Sequence, residues 1–237
     1  MYKPGEYSAS TTELDVRMPK SSLSGPMNAM HLTFEIPGGA LDLTLAADQV
    51  LYPNGTGLFP FLGGDSYYYS LPQIKTTGTL TLNGRTSNVT GKSWLDRQWG
   101  KWDRTQLKRW TWMAIQFDDG TSINLWDLID LQGEKAWATT RREDGTHTVA
   151  VVKPLANHAG DFRTSPSTGQ TYAGRWFVEI PSLGARLTVT AKPVLQEIQA
   201  GFPFSPGINE ASSVVTGVYQ GRAVTGRVYV EQFGNWK

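Results

Sequence analysis

Turn signals recur at hairpin spacing along almost the whole chain, and they leave few folds open. Asn83-Gly84, Asp119-Gly120 and Asp144-Gly145 each separate two short runs in which apolar and polar residues alternate, the pattern of tight β-hairpins. With runs at 30–36, 40–46, 66–71, 76–82, 86–90, 136–141, 146–152, 175–180, 186–190, 212–218, 221–224 and 227–233, the chain reads as about a dozen or more short strands. No segment sustains a 3.6-residue apolar period with caps; the best helix candidates are the short stretches 102–109 and 194–199. The expected fold class is all-β, an antiparallel barrel or sandwich rather than βαβ.

A length of 237 residues allows one large β domain or two small ones. The 22 basic and 21 acidic residues nearly cancel, so neither nucleic acid nor an anionic membrane is expected as the main partner. No apolar run is long enough for an integral membrane segment. Residues 1–20 lack the apolar core of a signal peptide, so the cytoplasm is the expected compartment. The absence of cysteine removes thiol chemistry and cysteine–metal sites, and His31, His147 and His158 have no metal-ligand spacing. No metal and no cofactor are expected. Oligomeric state is left open.

Residues 91–130 hold six of the nine tryptophans (Trp94, Trp99, Trp102, Trp110, Trp112 and Trp126) together with Asp96, Arg97, Asp127 and Asp130. Around 118–121 two hairpin registers fit. A two-residue turn at Asp119-Gly120 pairs Trp112 with Asp127, and one face then carries Trp110, Trp112, Ala114, Leu125, Asp127 and Ile129. A three-residue loop with Gly120 as the bulge pairs Trp112 with Trp126 and Ala114 with Asn124, and the same face carries Trp110, Trp112, Asn124, Trp126 and Leu128. A one-residue slip exchanges the faces. Either face reads as the wall of an apolar small-molecule pocket or as barrel filling, since each tryptophan can bury about 150–250 Å². Asp127 reads as a solvent-facing carboxylate, a functional acid or half of a buried ion pair.

Gly91 to Gly100 has a second logic: Trp94 and Trp99 can anchor the segment, with Asp96 and Arg97 as a polar lock at a domain junction. Its Trp94-Leu95-Asp96-Arg97-Gln98-Trp99 motif resembles the hallmark of the carotenoid 1,2-hydratase (hydroxyneurosporene synthase) and attachment-protein family. That is a tandem lipocalin-like family which also includes decalin-forming Diels–Alderases. Ser66 to Pro72, Thr164-Ser165-Pro166, Tyr172, Trp176, Ile180-Pro181, Gln196-Glu197 and Gly226 to Glu231 resemble further family motifs in order. Arg97 stands where the family usually has His, Val214 to Gly217 replaces a carboxylate-bearing stretch, Phe162-Arg163 replaces a tryptophan, and an early Glu-Trp-Trp-Tyr segment is missing. These departures argue against simple carotenoid hydration.

The resemblance implies two packed lipocalin-like (calycin) β-barrel units, a shortened N-terminal one over 1–105 and a C-terminal one over 106–237. It implies a hydrophobic small-molecule substrate or ligand and three possible roles. One is a cyclase or isomerase that holds a polyene in a near-attack shape, where orientation is worth up to ~7–11 kcal/mol. Another is a hydratase in which a buried acid protonates an alkene. The third is a carrier without chemistry. The candidate acids are Asp96 and Asp127, with Tyr219, Glu197 and Glu231 as weaker ones. The candidate substrate contacts are Trp99, Trp110, Trp112, Asn124, Trp126, Tyr68 and Tyr219.

Overall fold

At Asn83-Gly84 both residues take positive φ (49° and 77°), which lets the chain reverse in a two-residue loop between two unusually long strands, Gly64–Leu82 and Arg85–Gly100. The computed structural model describes residues 5–142, 144–199 and 207–236, nearly all of them in antiparallel strands or the turns between them. The separate short strands expected at 66–71 and 76–82 form one 19-residue strand. The Trp94–Trp99 motif lies within the second of the two, which has 16 residues.

Contacts group the chain into two compact units: Met1–Val50 with Leu71–Asp96, and Leu51–Ser70 with Arg97–Lys237. Thus 51–70, which chain order places in the N-terminal unit, is grouped with the second. In the first unit Asp15–Met18, Ser21–Ser24, Met30–Ile36 and Gly39–Ala46 pair in sequence, and the last pairs with the end of Gly64–Leu82. Leu43 and Leu45 are buried on one face of Gly39–Ala46, as the alternation predicts.

In the second unit a ten-stranded sheet runs in the order His147–Val151, Gly133–Arg141, Ser122–Asp130, Leu107–Phe117, Arg222–Phe233, Ile208–Tyr219, Ala185–Ala191, Arg175–Ile180, Ala159–Gly160, with Glu197–Ile198 against Ile208–Tyr219. It curls strongly. Ala150 from one end and Trp176 from the other share one buried cluster, and Lys153 N donates to Glu179 O to link the two ends. Curling brings backbones close: a Cβ on Gly226 would stand 2.2 Å from Gln116 O, so glycine is needed there. Neither helix candidate forms. Asp103 accepts from Thr105 N and starts only a 3-10 turn, Arg104–Gln106, before Leu107–Phe117 begins; 194–199 contains the short strand Glu197–Ile198. Among the described residues no helix is long and apolar enough to cross a membrane.

Candidate functional site

The central hairpin takes the longer-loop register: Trp112 pairs with Trp126 and Ala114 with Asn124. Every other residue of each strand then faces inward, and Met113, Ile115, Phe117, Ile123 and Leu125 join the barrel core. The outward face carries Trp110, Trp112, Asn124, Trp126 and Leu128.

Cross-strand pairing extends that outward face into a row. Trp137 pairs with Trp126, Trp126 with Trp112, Trp112 with Glu231, and Glu231 with Glu210. Directly paired antiparallel residues project to the same side, with Cβ atoms about 4.5–5.5 Å apart. Three indoles and two carboxylates therefore stand in line across five strands.

One end of the row is packing. Trp126 stacks on Trp137 (5.9 Å, 9°) and meets Phe61 (5.6 Å), Tyr68 (6.2 Å), Phe59 (6.4 Å), Trp110 and Trp112 (both 6.5 Å). Asn124 is fully buried, and its Nδ2 donates to Tyr68 Oη (3.2 Å) and Ser70 Oγ (3.3 Å). Trp126, Asn124 and Tyr68, expected as substrate contacts, are thus brought together as the seal between segment 51–70 and the sheet. The other end is half open: Trp110, stacked on Phe233 at 4.8 Å, and Glu231 and Glu210 are partly exposed.

That end has unusual electrostatics. Burial raises the Glu210 carboxyl above the ordinary carboxylate range, against a hydrogen bond from Tyr229 that lowers it. Burial, followed by Glu210 and Glu231, pushes the Tyr229 hydroxyl well up, so it stays protonated and donates. Glu210 Oε2 and Trp110 Nε1 are buried and make no hydrogen bond among the described residues. Among the described residues no group of three His, Asp or Glu side chains could hold a metal ion.

Most of the acids expected from the sequence stand elsewhere. Asp127 lies on the opposite sheet face from the tryptophans, because the register puts it inside. It is 1% exposed, its Oδ2 accepts from Leu155 N at 2.9 Å, and burial raises its pKa to about 6. Asp96 is exposed and accepts from Trp94 Nε1 at 2.8 Å. Arg97 lies over Trp99, which is 44% exposed and stacked on Tyr67. Tyr219 sits in the inward core against Phe117, away from the indole row. Burial works against the Glu197 carboxylate, but hydroxyls of Ser165, Thr168, Tyr172 and Ser167 together hold it below the usual range, so it is a poor proton donor. Glu210 was missed because its signal is a pairing two strands away from Trp112, which local sequence does not carry.

Asp127 gives a stability prediction. Its folded pKa of about 6 lies above the ordinary value of 3.8. The unfolded chain therefore loses this proton first as pH rises, and the group costs stability progressively from about pH 4 to 6 and keeps that cost above. A rise of this size corresponds to about 3 kcal/mol. Asp127→Asn keeps the acceptor for Leu155 N. Measured by denaturant unfolding, its stability relative to wild type is expected to rise by about that amount between pH 4 and 7. A difference that stays flat with pH would remove the buried-acid assignment.

The fold and face define a class, an all-β lipocalin-like protein with an aromatic wall. The AttH-like family model matches residues 2–235, and the chain belongs to that family. It is 27% identical over 214 residues to the dehydratase asqC of Emericella nidulans, covering 85% of this chain and 60% of that protein. It is 28% identical over 199 residues to kievitone hydratase of Fusarium solani subsp. phaseoli, covering 76% and 54%. The chain thus spans little more than half the length of these curated relatives. The crystal structure of kievitone hydratase from Nectria haematococca superposes with a TM-score of 0.81 at 22% identity, over 97% of this chain and 74% of that one.

Proposed function

We propose that this chain acts on an apolar small molecule as a hydro-lyase, adding water to a carbon–carbon double bond or removing it. Glu210 is the proton donor and Glu231 the base. The observation that carries this reading is the Glu231–Glu210 pair set directly beside Trp112. In the hydration direction the Glu210 carboxyl gives its proton to one alkene carbon. The cation formed at the other carbon faces the Trp112 and Trp110 rings, which favour positive charge. A water attacks that carbon and gives a proton to Glu231. The net change is one H and one OH added across the bond, and dehydration is the reverse. The names of the relatives, a dehydratase and a hydratase, support the same class. A cyclase would use the aromatic wall alone and leaves the paired acids without a task.

The test is a panel of alkenes and their alcohols incubated with the protein in D2O and read by mass spectrometry. Gain or loss of one water, with deuterium appearing on carbon during hydration, is expected. A rearranged isomer without carbon deuteration would instead indicate a cyclase, and saturable binding with the ligand recovered unchanged a carrier.

A further inference from the structure

The second unit carries a polar cavity at the barrel end formed by the 117–121 and 219–222 turns. We infer that it binds a small phosphate-type oxyanion. The cavity measures about 410 Å³, and among the described residues its lining includes Arg141, Arg142, Arg222, Thr148, Ser182 and Tyr219 and no carboxylate. Several separate elements deliver these side chains. Arg141 ends the Gly133–Arg141 strand, Thr148 lies on His147–Val151, Ser182 sits in the Pro181–Leu183 turn, and Tyr219 and Arg222 flank the hairpin at Gln220-Gly221.

The floor is closed: Tyr219 packs on Phe117 at 5.4 Å, and Leu183 belongs to the core. A ligand therefore sits across the mouth, in reach of guanidinium and hydroxyl donors. Arg141 Nη1 donates to Arg142 O at 3.2 Å, which holds its guanidinium and leaves its other N–H donors for a ligand. Among the described residues none of the three arginines forms an ion pair. The neighbouring acid, Asp144, accepts from the hydroxyl and backbone N–H of Thr146 at Oδ1; those bonds and, more weakly, the nearby charges of Arg142 and Arg141 hold its carboxyl below the usual range, and Glu143 lies outside the described residues. Arginines that converge on one cavity and form no salt bridge among the described residues match the geometry of a phosphate group, which accepts paired N–H donors from a guanidinium fork. Mouths of β-barrels are common ligand sites. None of its lining residues belongs to the indole and carboxylate row, so the inference does not depend on the hydro-lyase reading.

Titration calorimetry of the full chain with inorganic phosphate and pyrophosphate, at ionic strength matched with chloride, tests the inference. Saturable binding is expected. Arg142→Ala with Arg222→Ala should weaken it by about tenfold or more per guanidinium removed. Both side chains are exposed, so the melting temperature without phosphate should stay put. Arg142→Lys with Arg222→Lys keeps the charge and loses the forks, and should bind at least severalfold more weakly than wild type. Arg17→Ala, far from the cavity in sequence and in the other unit, should leave binding unchanged. No saturable signal at matched ionic strength, or wild-type affinity in the alanine and lysine double variants, would overturn the assignment.

Discussion

Glu210→Gln is expected to lower turnover by about a hundredfold to ten-thousandfold, the range a positioned general acid or base contributes, with no loss of stability. Glutamine preserves the size of the side chain and can accept from Tyr229, but it has no acidic proton. Burial raises the Glu210 carboxyl above its ordinary value. The wild-type protein therefore gives up some stability as pH rises through the range between the unfolded and folded pKa values, and glutamine removes that cost. At neutral pH the variant should unfold at the same temperature as wild type or higher. This combination separates a chemical role from a structural one, since an acid needed for packing would lose activity and stability together. Glu231→Gln should have a comparable effect on turnover. The double variant should cost little more than either alone, because groups acting in one step are not additive. For hydration, the rate should also fall as pH rises through the Glu210 pKa, and that limb should vanish in Glu210→Gln. Wild-type kcat/KM in both single variants on a compound that the protein hydrates would remove the pair from the mechanism.

The all-β class, the hairpins at Asn83-Gly84 and 118–121, and the inward alternation of Leu43 and Leu45 were legible in the sequence, because turn residues and a period of two act over a few positions. Strand length was not. Residues 64–82 contain Pro72 between the runs expected at 66–71 and 76–82, and Gln73 takes a positive φ of 55°, yet the strand runs through both. The 102–109 stretch failed as a helix for a related reason: Asp103 caps a single turn, and pairing with Ser122–Asp130 claims the residues from Leu107 onward. At the candidate site the sequence singled out the indole face and left its register open. A one-residue choice of loop then moved Asp127 from that face to the barrel interior. Glu231 was visible only as one weak acid among several. Its partner Glu210 becomes relevant through the Ile208–Tyr219 strand pairing with Arg222–Phe233, which in turn pairs with Leu107–Phe117. Such long-range pairing comes from how the sheet closes, and no local pattern near Trp112 encodes it.

Trp126→Ala is expected to give the largest stability loss of any tryptophan on the outward face, about 3–5 kcal/mol. For a chain of this size that is a fall in melting temperature of about 6–20 °C. Six aromatic rings surround the Trp126 indole within 6.5 Å, and the residue is 4% exposed. Those rings come from segment 51–70 and from two sheet strands, Leu107–Phe117 and Gly133–Arg141, so they cannot all collapse into the space an alanine would leave, and the cavity penalty is felt nearly in full. Trp99→Ala makes the comparison: Trp99 is 44% exposed and rests mainly on Tyr67, so its loss should cost about 1 kcal/mol or less. Thermal unfolding of the two variants decides between the roles open to a tryptophan in residues 91–130. If Trp126 lined a ligand pocket instead of sealing the barrel, its alanine variant would melt near wild type and lose only ligand binding. The row would then have to be read as open along its whole length, from Trp137 to Glu210.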